Sequence, residues 1–382
     1  MNKRNLEEVI KLRHILHQHP EPSMEEVWTK NCLMNYIREH TELEICDRGR
    51  WFYAVYRSPG DGRDGQNRKN IAFRADFDAI RMDEGIDLPY GSGNPGVAHK
   101  CGHDGHSAVL AGLALEVDQE GADHNVFFLF QHAEETAEGA AECVEFIKEE
   151  KIDEIFAFHN KSGMEKGSVN VIDGTSNYAS VGMIISMQGS STHASMPEYG
   201  KNPAYAIART IGGLDHAVKE AKSRGLVLCT VIQVDIGEKA FGIAASKGDL
   251  LLTLRAEFEE EMETLVEHVE NLAKSEGEAD GLEVTFTCQD RFPVTANHQE
   301  SSDKIRRVAG KKGYQVIEMK EGFRGSEDFG HYLKETKGAL FYLGNGEDYP
   351  QIHTTEYDFP DDLIEIAVEM FKGLIDEQSI KG

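Results

Sequence analysis

The pattern of apolar and polar residues predicts two successive rhythms of secondary structure. Residues 5–40 carry apolar side chains at helical spacing, interrupted at Pro20 and Pro22, which predicts two helices. Strand and helix patterns then alternate, with strands at 51–56, 70–74, 126–131 and 155–159 and helices at 107–115 and 139–149. This alternation is typical of an α/β fold built around a mostly parallel sheet.

The rhythm changes after about residue 175. The patterns there predict strand, helix, two strands, helix and strand, at 181–188, 202–224, 227–236, 249–258, 259–275 and 283–289. This order favours a small α+β domain inserted into the first domain, to which the chain returns after Arg291. A chain of 382 residues is also long for a single hydrophobic core.

Composition and charge narrow the classes of function. The net charge of −27 disfavours binding to nucleic acid or to an anionic membrane, because such binding depends on lysine and arginine. The sequence contains neither an apolar signal core after Met1 nor a run of about 18 apolar residues, so we expect no secretory peptide and no spanning helix. The six scattered cysteines are typical of reduced thiols, and we expect a cytoplasmic protein.

The densest group of metal-binding residue types lies at residues 99–106, which read HKCGHDGH. Cysteine thiolate and histidine imidazole are both good zinc ligands, and two glycines allow the backbone to bend tightly. A lone cysteine in a turn is more often a buried thiol. The combination within one segment favours a metal site.

Carboxylates follow two of the predicted strands. Glu134 and Glu135 are adjacent, and their mutual repulsion at the end of an apolar strand is relieved by a cation; the alternative is a solvated turn before a helix. Asp76 and Asp78 share one side of an extended segment, where a carboxylate can orient a metal-bound histidine; the alternative is an ordinary turn or helix cap. His159 also ends a predicted strand, and such ends meet at one edge of a parallel sheet.

Together these motifs resemble the M20 metallopeptidase superfamily, in its amidohydrolase branch of hippurate hydrolases, aminoacylase-like enzymes and auxin-conjugate hydrolases. The segments that carry the resemblance span nearly the whole chain: RHILHQHPE at 13–21, FRADFDA at 73–79, HKCGHDGH at 99–106, FQHAEE at 130–135, GSSTHASMP at 189–197 and RGSEDF at 324–329.

The resemblance implies a catalytic domain formed by residues 1–176 and 291–382, with a mixed, mostly parallel sheet, and an inserted lid and dimerisation domain at 177–290. It implies two divalent metal ions per chain, zinc or manganese, with cobalt as a further candidate. Their implied ligands are Cys101, His103, Glu135, His159 and His353.

The resemblance also implies roles for four further residues. Glu134 is the implied general base, acting on a water that bridges the ions. His193 is expected to stabilise the oxyanion from the lid of its own or a partner subunit. Asp78 is expected to orient a ligand, and Arg255 to hold a substrate carboxylate.

Four positions depart from the family pattern. His132 stands where proline is frequent, Glu198 where histidine is usual and Asn160 where an apolar residue is common, and the run at 353–357 replaces a His-x-Pro-x-Phe-like motif. None of these departures removes an implied ligand, but they leave the substrate open.

We therefore predict metal-dependent hydrolysis of a small amide, an N-acyl or N-aroyl amino acid, by a homodimer or higher homo-oligomer. A dipeptidase or deacetylase with the same site is one alternative. A non-catalytic binding or assembly relative is another, which the filled ligand and base positions disfavour.

Overall fold

The computed structural model describes residues 1–59, 68–221 and 223–378, and the chain divides into two compact units. The first unit comprises Met1–Ser176, Thr295–Glu321 and Glu327–Gly382, and the second comprises Asn177–Val294 and Gly322–Ser326. We retain, as a proposal, the assignment of the first as a catalytic domain and of the second as a lid.

The elements below are numbered in chain order. The helices are α1 (Lys3–Gln18), α2 (Val27–His40), α3 (His103–Glu120), α4 (Gly139–Cys143), α5 (Glu145–Glu149), α6 (Ala204–Glu220), α7 (Glu259–Ala279), α8 (Gln299–Lys312), α9 (Gly330–Leu333) and α10 (Leu363–Glu377). The strands are β1 (Glu44–Asp47), β2 (Phe52–Tyr56), β3 (Asn70–Asp76), β4 (Asn125–Gln131), β5 (Glu154–Ser162), β6 (Val169–Val171), β7 (Gly174–Asn177), β8 (Ala179–Gln188), β9 (Thr192–His193), β10 (Val227–Ile236), β11 (Ile243–Ala244), β12 (Lys247–Ala256), β13 (Glu283–Phe292), β14 (Thr295–Asn297), β15 (Val316–Glu318) and β16 (Lys337–Gly346).

The first unit is built on one large mixed sheet. Its strand order is β1-β2-β4-β3-β5-β16-β6-β15, and the central strands β4, β3, β5 and β16 run parallel to their neighbours among these four. Strands β3 and β4 are buried at every position but the first, as their continuous apolar sequences predict for parallel strands covered on both faces. The predicted α/β class with a mostly parallel sheet is confirmed.

Helix α3 lies at the centre of the first unit. It is buried from His103 to Val117, and α1, α2 and α10 pack against it. Close packing depends on small residues, since a Cβ atom at Gly105 would lie 2.4 Å from the ring of Phe359. The helix begins at His103, earlier than the predicted 107–115, because Gly102 takes a left-handed φ of 106° at its N-cap.

Among the other differences from the sequence prediction, two concern strands of the first unit. Strand β5 continues past His159 to Ser162 because its polar residues find partners: the Asn160 amide donates to the Tyr357 hydroxyl oxygen at 2.5 Å, and Ser162 Oγ donates to a backbone carbonyl. The short strand β1 is not predicted, since its sequence EICD contains only two apolar residues, which are only partly buried.

The second unit has a four-stranded antiparallel sheet of order β10-β12-β8-β13, against which α6 and α7 pack. Alternate residues of β8 and β12 are buried, as expected when one face of an antiparallel sheet is covered. Throughout the described ranges, every helix is too short or too polar to cross a bilayer.

A buried group of charged side chains connects α1 to the start of α3. The His17 ring donates from Nδ1 to Asp104 and from Nε2 to Glu84, both at 2.8 Å. Arg13 and Asp358 also face the ring. Although burial opposes the charged form, the two hydrogen bonds raise the pKa of His17 to about 9.

Because the folded pKa lies above the ordinary value of 6.5, this contribution is complete below pH 6.5 and is lost as pH rises through about 9. We therefore expect the melting temperature to fall over this range by more in the wild type than in His17→Gln. Thermal unfolding of both proteins at several pH values measures the difference. Parallel pH profiles would contradict the assignment.

Candidate metal centre

The metal-type side chains are carried by neighbouring elements of the first unit. Cys101 precedes α3 and His103 is its first residue, while Glu134 and Glu135 follow strand β4. His159 lies in β5, and β4 and β5 are the parallel neighbours of β3 on its two sides, so strands on both sides of β3 supply part of the group.

The five predicted ligands converge in two overlapping groups. The ligand atoms of Cys101, His103 and His159 lie within 4.8 Å of one another, and so do those of Cys101, Glu135 and His353. Cys101 Sγ is 3.4 Å from His159 Nε2, and His353 Nε2 is 3.2 Å from Glu135 Oε1. Thiolate, imidazole and carboxylate donors at this spacing fit divalent ions of the zinc type, and the nitrogen and oxygen donors also suit manganese.

The His103 ring supplies a direct test of that fit. Its Nδ1 donates to Asp78 Oδ1 at 3.0 Å, which leaves the Nε2 lone pair available. Nε2 is buried, has no hydrogen-bond partner among the described residues, and lies 3.9 Å from both Glu134 Oε2 and Glu135 Oε1. A cation between these groups satisfies the nitrogen and the carboxylates together, so the residues fit a metal.

Asp78 contacts two predicted ligands at once. Besides orienting the His103 ring, its Oδ2 accepts hydrogen bonds from the Glu135 backbone N–H at 3.0 Å and from Ser23 Oγ at 2.8 Å. Although burial opposes it, the hydrogen bond from the His103 ring lowers the pKa of Asp78. The geometry supports the predicted orienting role.

Glu134 lies among other buried acidic side chains. It is buried, and its carboxylate lies within 4.8 Å of those of Glu327 and Asp328. Burial, followed by repulsion from Glu327 and Glu135, raises the pKa of Glu134 well above its ordinary value. Glu134 is thus placed beside the ligands in surroundings that favour proton uptake.

An arginine that the sequence prediction did not assign holds these acids together. Arg74 donates to Asp76 and to Asp328 at 2.6 Å each, and its guanidinium lies 3.1 Å from Glu327. It also donates to the Gln131 side chain at 2.8 Å. The sequence does contain a signal for this role, because Arg74 is a charged residue inside the otherwise apolar run of β3. A charged side chain is rarely buried without partners.

The departure at Asn160 has a structural consequence next to the ligand segment. Its Oδ1 accepts a hydrogen bond from His106 Nε2 at 2.7 Å, and its amide donates to Tyr357. A Cβ atom at Gly102 would lie 2.5 Å from Asn160 Oδ1. Asn160 therefore packs directly against the backbone that joins Cys101 to His103.

The remaining predicted site residues belong to the second unit. His193 is exposed in β9, and its Nδ1 lies 2.7 Å from Ser195 Oγ. Arg255 lies in β12 and donates to the Arg324 carbonyl at 2.7 Å and to Ser326 Oγ at 2.9 Å. Their roles in catalysis and substrate binding stay predictions.

The chain is similar to known deacetylases and to a metal-binding peptidase over nearly its whole length. N-acetylcysteine deacetylase of Bacillus subtilis strain 168 is 27% identical over 370 residues, covering 96% of this chain and 95% of the relative. N-acetyldiaminopimelate deacetylase of the same strain is 27% identical over 381 residues, covering 96% and 98%. The crystal structure of a dinuclear metal-binding peptidase from the M20 family of B. subtilis superposes with a TM-score of 0.82 at 26% identity, covering 98% of each chain.

The match to a family model covers most of the chain. Residues 72–377 match the model of peptidase family M20/M25/M40. This range includes all five residues of the predicted ligand set and Glu134. The chain therefore belongs to peptidase family M20/M25/M40.

Proposed function

We propose that this protein removes the acyl group, an acetyl group foremost, from a small N-acylated amino acid. Its family and relatives support metal-dependent hydrolysis of a small amide bond. The single observation that carries the proposal is the convergence of five ligand-type side chains beside the buried carboxylate of Glu134.

The proposed metal ions belong to the ligand set Cys101, His103, Glu135, His159 and His353. When bound, two divalent ions supply Lewis acidity for the amide carbonyl and make water more acidic. The thiolate of Cys101 favours zinc, whereas the imidazole and carboxylate donors are equally suited to manganese or cobalt.

Glu134 is the proposed general base. Of the two adjacent glutamates, Glu135 is oriented toward His353 and has its backbone N–H held by Asp78. Both carboxylates lie 3.9 Å from His103 Nε2, but that of Glu134 also lies within 4.8 Å of the buried acids Glu327 and Asp328. In this role it takes a proton from the attacking water and passes it to the leaving amine.

The second unit is proposed to recognise the amino-acid part of the substrate. Arg255 is held in place by two hydrogen bonds within that unit, which makes it suited to binding a carboxylate. His193 is exposed and is proposed to stabilise the developing oxyanion, in its own or in a partner subunit.

A homodimer is part of the same proposal. Strand β10 is at the edge of its sheet and exposes Val231, Ile232 and Val234. An exposed apolar edge strand favours pairing with a second copy. We expect Ile232→Lys to shift the protein from dimer to monomer in light scattering; a wild type that is monomeric at all concentrations would contradict this part of the proposal.

A substrate panel tests the specificity. We expect kcat/KM for N-acetyl amino acids to exceed that for dipeptides by at least about tenfold, a difference of about 1.4 kcal/mol in transition-state binding. Release of free amine from N-acetyl, N-benzoyl and dipeptide substrates measures it. Faster hydrolysis of dipeptides would instead indicate that the protein is a dipeptidase. An absence of hydrolysis after addition of zinc, manganese or cobalt would favour the hypothesis of a non-catalytic binding or assembly protein.

A further inference from the structure

The turn that carries Glu134 and Glu135 is held by its backbone as well as by its side chains. The N–H of Glu135 donates to Asp78, and the N–H of Ala133 donates to Glu26 Oε1 at 2.7 Å. Ala133 has a φ of 47°, in the left-handed region that alanine rarely adopts. A backbone held in that region needs support from its surroundings.

Glu26 supplies this support from a distant part of the chain. It precedes α2 but makes no capping hydrogen bond to that helix with its side chain. Its side chain is instead buried, with only 5% of the residue exposed, and it reaches the Ala133 N–H across 107 positions of sequence. A buried glutamate is uncommon, and this one is used on the active-site turn.

The same connection between α1 and α2 also supports the turn through a second contact. Ser23 donates to Asp78, the carboxylate that holds both the His103 ring and the Glu135 N–H. The connection therefore contacts the turn at two places, once through Asp78 and once directly through Glu26.

We infer that Glu26 is a positioning residue, whose hydrogen bond to the Ala133 N–H fixes Glu134 and Glu135 relative to His103. The inference rests on the proposed function for the roles of Glu134 as base and Glu135 as ligand. Glu26 itself touches neither the proposed ions nor the reacting atoms.

Three substitutions of Glu26 separate the effect of its side-chain length from the effect of its charge. Burial, together with the nearby charge of Asp78, raises the pKa of Glu26 to about 8, so its surroundings disfavour the negative charge that glutamine lacks. Glu26→Gln keeps the acceptor and its reach. Glu26→Asp keeps a carboxyl but is one methylene shorter, and Glu26→Ala removes the acceptor.

The experiment measures Zn²⁺ affinity by competition with a chelator, kcat on an N-acetyl amino acid with saturating metal, and melting temperature, all on the full chain. We expect Glu26→Ala and Glu26→Asp to lose about 10- to 100-fold in Zn²⁺ affinity and in kcat. Glu26→Gln should stay within about threefold of the wild type in both. The control is Glu25→Gln, whose exposed side chain pairs with Arg81 and should change neither value.

Three outcomes would overturn the inference: wild-type affinity and kcat in Glu26→Ala, a loss in Glu26→Gln as large as in Glu26→Ala, or an equal loss in the Glu25 control. A Glu26 variant with a lower melting temperature but wild-type Zn²⁺ affinity and kcat would also contradict the inference, because Glu26 would then have a purely structural role. A wild type that binds Zn²⁺ but hydrolyses no substrate would reject the proposed function, while Zn²⁺ affinity would still decide the role of Glu26.

Discussion

Glu134→Gln is expected to lower kcat by about two to four orders of magnitude while the metal content stays at the wild-type value. The substitution preserves the shape of the side chain but removes its ability to accept a proton from water. It leaves the ligand-type atoms of Cys101, His103 and His159 in place. Turnover with saturating substrate and metal analysis of the same sample measure the two quantities together.

Glu138→Gln is the matched control, because Glu138 is exposed and only four residues away. It should retain both turnover and metal. Near-normal turnover in Glu134→Gln would remove Glu134 from the mechanism. A loss of metal along with turnover would instead make it a ligand.

The second large effect concerns stability. Arg74→Met is expected to destabilise the first unit by about 3–5 kcal/mol, because it leaves buried carboxylates without their cation. Arg74 is almost completely buried and pairs with Asp76, Glu327 and Asp328. Burial without a partner costs a charged group far more than exposure does.

Both tryptophans of the chain, Trp28 and Trp51, belong to the first unit, so their fluorescence during urea unfolding reports on that unit. The control is Arg81→Met, which removes an exposed ion pair with Glu25 and should change stability by no more than about 0.5 kcal/mol. An Arg74→Met protein as stable as this control would show that the acids do not depend on the arginine.

The sequence predicts the parts of the fold and site that depend on local patterns. The alternating apolar runs indicate β3, β4, β5 and α3, because a buried parallel sheet imposes continuous apolar strands. Residue type and close spacing single out Cys101 and His103, and the adjacent carboxylates at the end of an apolar strand single out Glu134 and Glu135.

The residues that position the site depend on tertiary packing. Asp328 accepts a hydrogen bond from Arg74, 254 positions away, and Glu26 accepts one from Ala133, 107 positions away. No periodicity relates such pairs. The early start of α3 likewise depends on the left-handed φ of Gly102, which an amphipathic pattern does not contain.

We propose that the converging side chains form a dinuclear metal centre that hydrolysis requires. The most direct test is metal analysis of the natively purified protein combined with hydrolysis of an N-acetyl amino acid before chelation, after chelation and after metal is restored. We expect about two divalent ions per chain, with hydrolysis lost on chelation and recovered with zinc or manganese. Full activity in the metal-free protein, or no binding of any divalent ion, would contradict it.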